Sequence, residues 1–191
     1  MSLIDNTISY LPLSIKTWDP FVELFGDKGA CGGCWCMTMR LKTSEYEKNK
    51  GEGNKKVMHE MVKHGKPLGI LAFEGTQAIG WCSISPREQY KRLNNSRILR
   101  AVDDQPVWSI VCFFIRRGFR GQRLSLELIK AAINYAHQHG AQIIEAYPQI
   151  PKKVKIPEVF AYTGLASTFR KAGFKEVLRR SETRPIMRYV Y

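Results

Sequence analysis

Val107-Trp108-Ser109-Ile110-Val111-Cys112-Phe113-Phe114-Ile115 is a run of β-branched, aromatic and small residues, and it passes directly into Arg116-Arg117-Gly118-Phe119-Arg120-Gly121-Gln122-Arg123. No charge interrupts the run, so it predicts a central strand covered on both faces. Beyond it, Leu124, Leu128, Ala131, Ala132, Tyr135 and Ala136 fall on one face of a helix that Gly140 stops. Residues 142–147 read as a further strand, and strand, helix and strand in direct succession make the crossover that joins parallel neighbours. Between the first strand and the helix, glycines and arginines stand where the opening N–H groups of a helix have no internal acceptor, which marks a site for phosphate or pyrophosphate. Arg116, Arg117, Arg120 and Arg123 add charge for the same anion. The loop matches neither G-x-G-x-x-G nor a Walker loop, which disfavours a dinucleotide oxidoreductase and an NTPase.

Working outward, residues 68–73 and 77–85 are apolar β-prone runs joined by Glu74-Gly75-Thr76, the pattern of an antiparallel hairpin. Residues 8–15 are strand-like, and Thr17-Trp18-Asp19-Pro20 opens a helix over 21–25 that Gly26 ends. Val57, Met58, Met61 and Val62 give helical spacing to residues 54–63. A basic helical piece is expected over 89–94, a short helix over 164–172, and strands over 175–180 and 186–190. The Gly- and Cys-rich stretch through Met39 shows no period. These elements predict an α/β (α+β) class with a mixed sheet.

The 191 residues predict one domain over 1–191, and the 44% hydrophobic and 25% charged fractions are globular values. No apolar run is long enough to span a bilayer and no basic-then-apolar leader opens the chain, so no membrane association and a cytoplasmic location are expected. Thirty Lys and Arg against 17 Asp and Glu give a formal net charge of +13, a field that draws in a polyanion. The basic residues gather at 91–100, 116–123, 152–155 and 170–188, and only the second cluster interleaves with glycines. A nucleic-acid-binding module is the rival that this charge suggests, disfavoured by the lack of RNP, zinc-finger and helix-turn-helix signatures.

Arg120-Gly121-Gln122-Arg123-Leu124-Ser125 resembles the [QR]-x-x-G-x-[GA] signature of the GNAT N-acetyltransferase superfamily, with Arg123 in place of its Gly and Ser125 in place of its Gly or Ala. Phe169-Arg170-Lys171-Ala172-Gly173-Phe174 resembles a second family motif, L-Y-x-K-x-G-F, with Phe169 replacing the tyrosine. Gly80-Trp81-Cys82-Ser83-Ile84-Ser85-Pro86-Arg87-Glu88, the strand after Pro106 and Cys34-Trp35-Cys36-Met37 are similar to a narrower subgroup of that superfamily. The resemblance implies a mostly antiparallel central sheet flanked by helices and splayed between its fourth and fifth strands. It also implies acetyl-CoA as cosubstrate and direct transfer of acetyl to an amine-bearing acceptor through a tetrahedral intermediate. Cys112, Phe113, Phe114 and Ile115 would pair with the pantetheine arm, Arg120, Gly121, Gln122, Arg123, Leu124 and Ser125 would hold the pyrophosphate, and Phe169 would line the cofactor.

The strand over 107–115 carries no carboxylate, whereas many family members have a glutamate there. Glu145 is therefore the first candidate for the base, beside the alternative of a structural ion pair, and Tyr147 and Tyr162 are candidate acids. The missing glutamate and tyrosine keep a second reading open, a non-catalytic acyl-CoA sensor. Cys31, Cys34 and Cys36 invite a zinc reading that lacks a fixed fourth ligand, so no metal is expected, and buried small side chains around the acceptor pocket are the simpler account. The 152–155 lysines read as solvated loop, with contact to the CoA 3′-phosphate as the lesser reading. The acceptor and the oligomeric state, a homodimer included, are left open.

Overall fold

A computed structural model describes residues 8–151 and 162–191. Its centre is a seven-stranded sheet in the order β1-β2-β3-β4-β5-β7-β6. In chain order the elements are β1 (Ile8–Pro12), α1 (Trp18–Phe25), α2 (Thr43–Lys48), α3 (Glu52–Lys63), β2 (Gly69–Glu74), β3 (Gln77–Pro86), α4 (Lys91–Asn94), β4 (Trp108–Ile115), α5 (Leu124–Gln138), β5 (Ile143–Ala146), α6 (Ala166–Lys171), β6 (Lys175–Arg179) and β7 (Pro185–Val190). Every pairing is antiparallel except that of β4 with β5, the two strands joined through α5. The strands and long helices lie within a few residues of their expected places. α2 is the element that periodicity missed, since within its six residues only Tyr46 is buried.

The sheet is covered on both faces, as its apolar central strands require. On one side Leu124, Leu128, Ile129, Ala132, Ile133 and Ala136 of α5 pack with Phe169 and Phe174 on Ile70, Ile79, Ile84, Ile110 and Phe113. On the other, Phe21, Leu24 and Phe25 of α1 and Met58 and Val62 of α3 enclose Trp35, Met37 and Trp81. A smaller apolar group of Tyr90, Leu93, Leu99, Val111, Tyr147 and Ile186 covers the β4, β5 and β7 end of the second face.

Two irregularities position the site. The β4/β5 register holds only from Trp108 with Ile144 to Ile110 with Ala146, although β4 runs on to Ile115. Past Ala146 the chain turns to other partners: Gln149 bonds through its N–H to Gly164 O, and Ala166 N–H bonds to Gln149 O. Among the described residues the edge of β4 over residues 111–115 thereby has no strand partner on that side, which is the expected splay. The second irregularity is a bulge. Ser83 pairs with Cys112 and Ile84 with Ile110, so Val111 is the extra residue. Val111 and Cys112 consequently both face away from α5, where strict alternation would send them to opposite sides.

Candidate active site

The unpaired edge of β4 leads into the turn that sequence marked for phosphate. Arg117–Phe119 forms one 3-10 turn, Arg120 is extended, and Gly121 and Arg123 take left-handed conformations with φ of 77° and 62° before α5 begins at Leu124. Among the described residues the N–H groups of residues 121–125 donate to no backbone carbonyl, while Leu126 and Glu127 both bond to Arg123 O. The turn is pinned from outside the ligand position: Arg120 Nε–H donates to Ile115 O at 2.9 Å, and Gln122 Nε2–H donates to Gly118 O at 3.1 Å. Arg116 is spent on structure, bonding Ala78 O and pairing with Glu23 at 3.0 Å. Gly121 has open space where a Cβ would stand. Exposed backbone donors at the start of a fifteen-residue helix, with its dipole behind them and arginines beside them, are suited to a pyrophosphate. The left-handed φ at Arg123 also explains the glycine that the resembled family keeps there.

The other expected site residues divide. Cys112, Phe114 and Ile115 are half-buried along the free edge, and Phe113 is buried against Phe169 with ring centroids 6.0 Å apart. Phe169 is fully buried, packs edge-on against Phe174 and has no hydroxyl to offer; it is a core residue of the α5 side.

Glu145 lies opposite Ser109 in the β4/β5 register, one residue before the last pair, and has no exposed surface. Its Oε2 accepts from Arg188 Nε at 2.9 Å, its Oε1 accepts from the Tyr147 hydroxyl at 2.7 Å, and Arg87 Nη1 stands 3.5 Å away. Arg188 also forks onto Asp103 with contacts of 2.7 and 2.8 Å, Ser109 Oγ lies 2.9 Å from the Tyr147 hydroxyl, and Arg87 donates to that hydroxyl and to Leu99 O. This network ties β4, β5, β7 and the 99–103 segment together just below the splay. A carboxylate with no surface and two arginines cannot meet an amine, so the geometry gives Glu145 the structural ion-pair role that sequence held as the alternative to the base. Burial and the neighbouring Glu145 charge push the Tyr147 phenol far above its ordinary range, which keeps it protonated as a donor to Glu145. Tyr162 is 37% exposed and hydrogen-bonds to neither Glu145 nor Tyr147. The lysines at 152–155 fall outside the described residues.

The sequence profile of the Acetyltransferase (GNAT) family matches residues 35–153. The chain belongs to this GNAT family. Solved structures of similar fold include PaiA N-acetyltransferase from Thermoplasma acidophilum in complex with coenzyme A, at 16% identity and TM-score 0.54 over 97% of this chain and 99% of that one. A GNAT acetyltransferase from Brucella melitensis in complex with acetyl-CoA aligns at 10% identity and TM-score 0.52, covering 97% and 89%. One from Streptococcus agalactiae reaches a TM-score of 0.56 at 10% identity, covering 96% and 95%. No curated protein matches the sequence. Within this GNAT fold, the bulged β4 leads into the arginine-rich turn, and the Glu145 network lies just below the β4/β5 splay. No group of three or more His, Cys, Asp or Glu suited to a metal occurs among the described residues, and none of their helices is long and apolar enough to cross a membrane.

Cys31, Cys34 and Cys36 do not act alike. Cys31 is exposed, Cys34 is half-buried, and Cys36 is buried against β3 and β4, receiving a hydrogen bond from Trp81 Nε1 at 3.1 Å. Trp35 and Cys36 are successive non-glycine residues with positive φ, 42° and 58°, a strained pair held by the packing of Trp35 on Phe25. Beside them Arg40 is 2% exposed, with Leu68 O, Ser83, Ser85 and Tyr90 all within hydrogen-bond distance of Nη2 and Gln89 within that of Nη1. Spacing in the sequence gave no sign of this cluster, because its members come from three separate segments.

Proposed function

We propose that the chain is an acetyl-CoA-dependent N-acetyltransferase that moves acetyl directly to an amine of its acceptor. The observation that carries this reading is the continuity of three features: a β4 edge from which β5 departs, a bulge at Val111, and N–H groups at residues 121–125 that donate to no backbone carbonyl among the described residues. An amide-bearing pantetheine arm fits the free edge as an added strand, and the pyrophosphate fits the turn. Acetyl-CoA supplies the activated acyl group. The protein holds it so that the thioester lies near the bulge, where a β4 N–H is available for the developing oxyanion. Cys112, Phe113, Phe114 and Ile115 supply the edge, and Arg120, Gly121, Gln122, Arg123, Leu124 and Ser125 the cradle. Glu145 and Tyr147 hold the splay rather than the substrate. The Cys-Trp-Cys-Met segment, packed on β3 beside the bulge, supports placement in a narrower subgroup of the family.

Calorimetry with acetyl-CoA, followed by release of free CoA thiol across a panel of amines, tests the reading. Saturable binding with turnover of at least one amine is the expected result. Absence of binding at millimolar acetyl-CoA removes the proposal, and tight binding with no turnover of any amine replaces it with the acyl-CoA sensor.

A further inference from the structure

The buried arginines Arg87 and Arg188 have Glu145 or Asp103 within 4.0 Å, whereas among the described residues Arg40 has no carboxylate. The groups in reach of its guanidinium are neutral: Leu68 O and Ser85 Oγ, each 2.8 Å from Nη2, Gln89 Oε1 at 3.3 Å from Nη1, and the face of the Tyr90 ring at 4.6 Å. Its Nε–H is buried and has no acceptor among the described residues. An unneutralised buried cation and an orphaned donor on one side chain are both costly, and native interiors rarely keep either. The same side chain forms part of the wall of an open cleft of about 310 Å³. Two helical turns supply its apolar faces. Met37 and Leu41 lie one turn apart, with Leu41 N–H bonded to Met37 O at 3.1 Å, and Val57 and Met61 stand four residues apart on α3. The charges lining the cleft have one sign, since the exposed Lys66 and Lys91 join Arg40 and no acidic residue does. Lys91 also reaches Glu45 at 3.4 Å, while Lys66 has no carboxylate partner among the described residues.

We propose that this cleft binds a small organic anion, one carboxylate on a short apolar chain, with the carboxylate beside Arg40, Lys66 and Lys91 and the chain between the Met37–Leu41 and Val57–Met61 pairs. The charge and the walls select this class together. A bare inorganic anion would leave four apolar side chains uncovered, and a neutral hydrocarbon would leave the Arg40 charge without a counter-ion. A guanidinium suits a planar carboxylate, and the unbranched methionines at positions 37 and 61 can follow the shape of an alkyl chain. The volume lies at the lower end of the roughly 300–1,000 Å³ of small-ligand sites, which fits a short chain. None of the lining residues belongs to β4 or to the 116–125 turn, so the site is separate from the edge and the turn assigned to acetyl-CoA and goes beyond the acetyltransferase reading.

Hexanoate, 1-hexanol and inorganic phosphate serve as probes, each titrated by calorimetry into the full chain with and without saturating acetyl-CoA. Hexanoate should bind saturably in both cases, and the alcohol and the phosphate at least about tenfold more weakly. Carbon-13 spectra of the methionine methyl groups locate the bound probe without any substitution: the Met37 and Met61 signals should move on adding hexanoate, while that of Met187, buried on the α5 side, stays in place. Arg40 is left intact because it ties the Leu68 carbonyl to Ser83 and Ser85. Lys66→Glu, at an exposed position, should weaken hexanoate about tenfold, and Met61→Trp should block it. The proposal is overturned by absence of saturable hexanoate binding, by equal affinity for 1-hexanol or phosphate, by unmoved Met37 and Met61 signals, or by displacement of hexanoate with acetyl-CoA. Unaltered hexanoate affinity in folded Lys66→Glu and Met61→Trp overturns it equally.

Discussion

Replacing Glu145 by Gln separates a structural ion from a catalytic base. The side chain is isosteric and keeps an acceptor for Tyr147, but it removes the charge that faces Arg188 at 2.7 Å and Arg87 at 3.5 Å. Breaking a buried pair by neutralising one partner costs about 3–5 kcal/mol. The lower end applies, because Arg188 keeps its two contacts with Asp103 and the Gln oxygen keeps one bond. For a chain of this size about 3 kcal/mol corresponds to a fall of about 6–12 °C in the melting midpoint. Differential scanning calorimetry reads that fall, and acetyl-CoA binding measured well below the midpoint should persist. A midpoint within about 2 °C of the unmodified protein, together with loss of turnover, would refute the reasoning and return Glu145 to the role of base.

Arg123→Gly should leave the fold intact or more stable, since it relieves a left-handed residue at a cost of about 1 kcal/mol; a thermal melt showing clear destabilisation would contradict the assigned turn. Gly69→Ala sets a Cβ 2.3 Å from the Cys82 carbonyl oxygen inside the sheet, and urea unfolding should show a loss of about 3 kcal/mol or more. Gly80→Ala meets the movable ends of Leu128 and Leu124 at 3.1 and 3.3 Å and touches Ala72 Cβ at 3.5 Å, and about 1–2 kcal/mol is expected there. Because Cys36 is lowered in the folded chain, it is ionised there at pH values where the unfolded chain still holds its proton. Stability should therefore rise with pH between about 6 and the ordinary thiol value, and be lost as pH falls towards 6. The difference between the unmodified protein and Cys36→Ser in urea midpoints at pH 8.5 and pH 6 isolates this contribution.

Much of the sheet is legible in the chain because its signals are local. The run from Val107 to Ile115, the hairpin turn at Glu74-Gly75-Thr76 and the apolar face of α5 each depend on residues close in sequence, and the structure has them where periodicity puts them. The turn proposed to hold phosphate is legible for the same reason, as glycines and arginines between a strand and a helix are a local signal. The Gly-to-Arg departure at position 123 could be read as a departure, but its left-handed backbone could not.

The chemistry around the bulge follows a different rule. In sequence Glu145 reads as either a base or a structural ion pair on a strand, and only the tertiary structure sets Arg188, Arg87 and Tyr147 around it. Cys36, Cys112 and Arg40 carry no shared pattern, because the 34–41 segment reaches β3 and β4 only when α1 and α3 have closed over that face. Sequence alone determined the order of elements, the central strand and the glycine- and arginine-rich turn before α5, which follow from short-range periodicity and backbone preference. Tertiary structure decided which carboxylate sits in an ion-pair network and where β5 leaves β4, since burial and long-range pairing, not residue type, set the proton affinity and reach of a side chain.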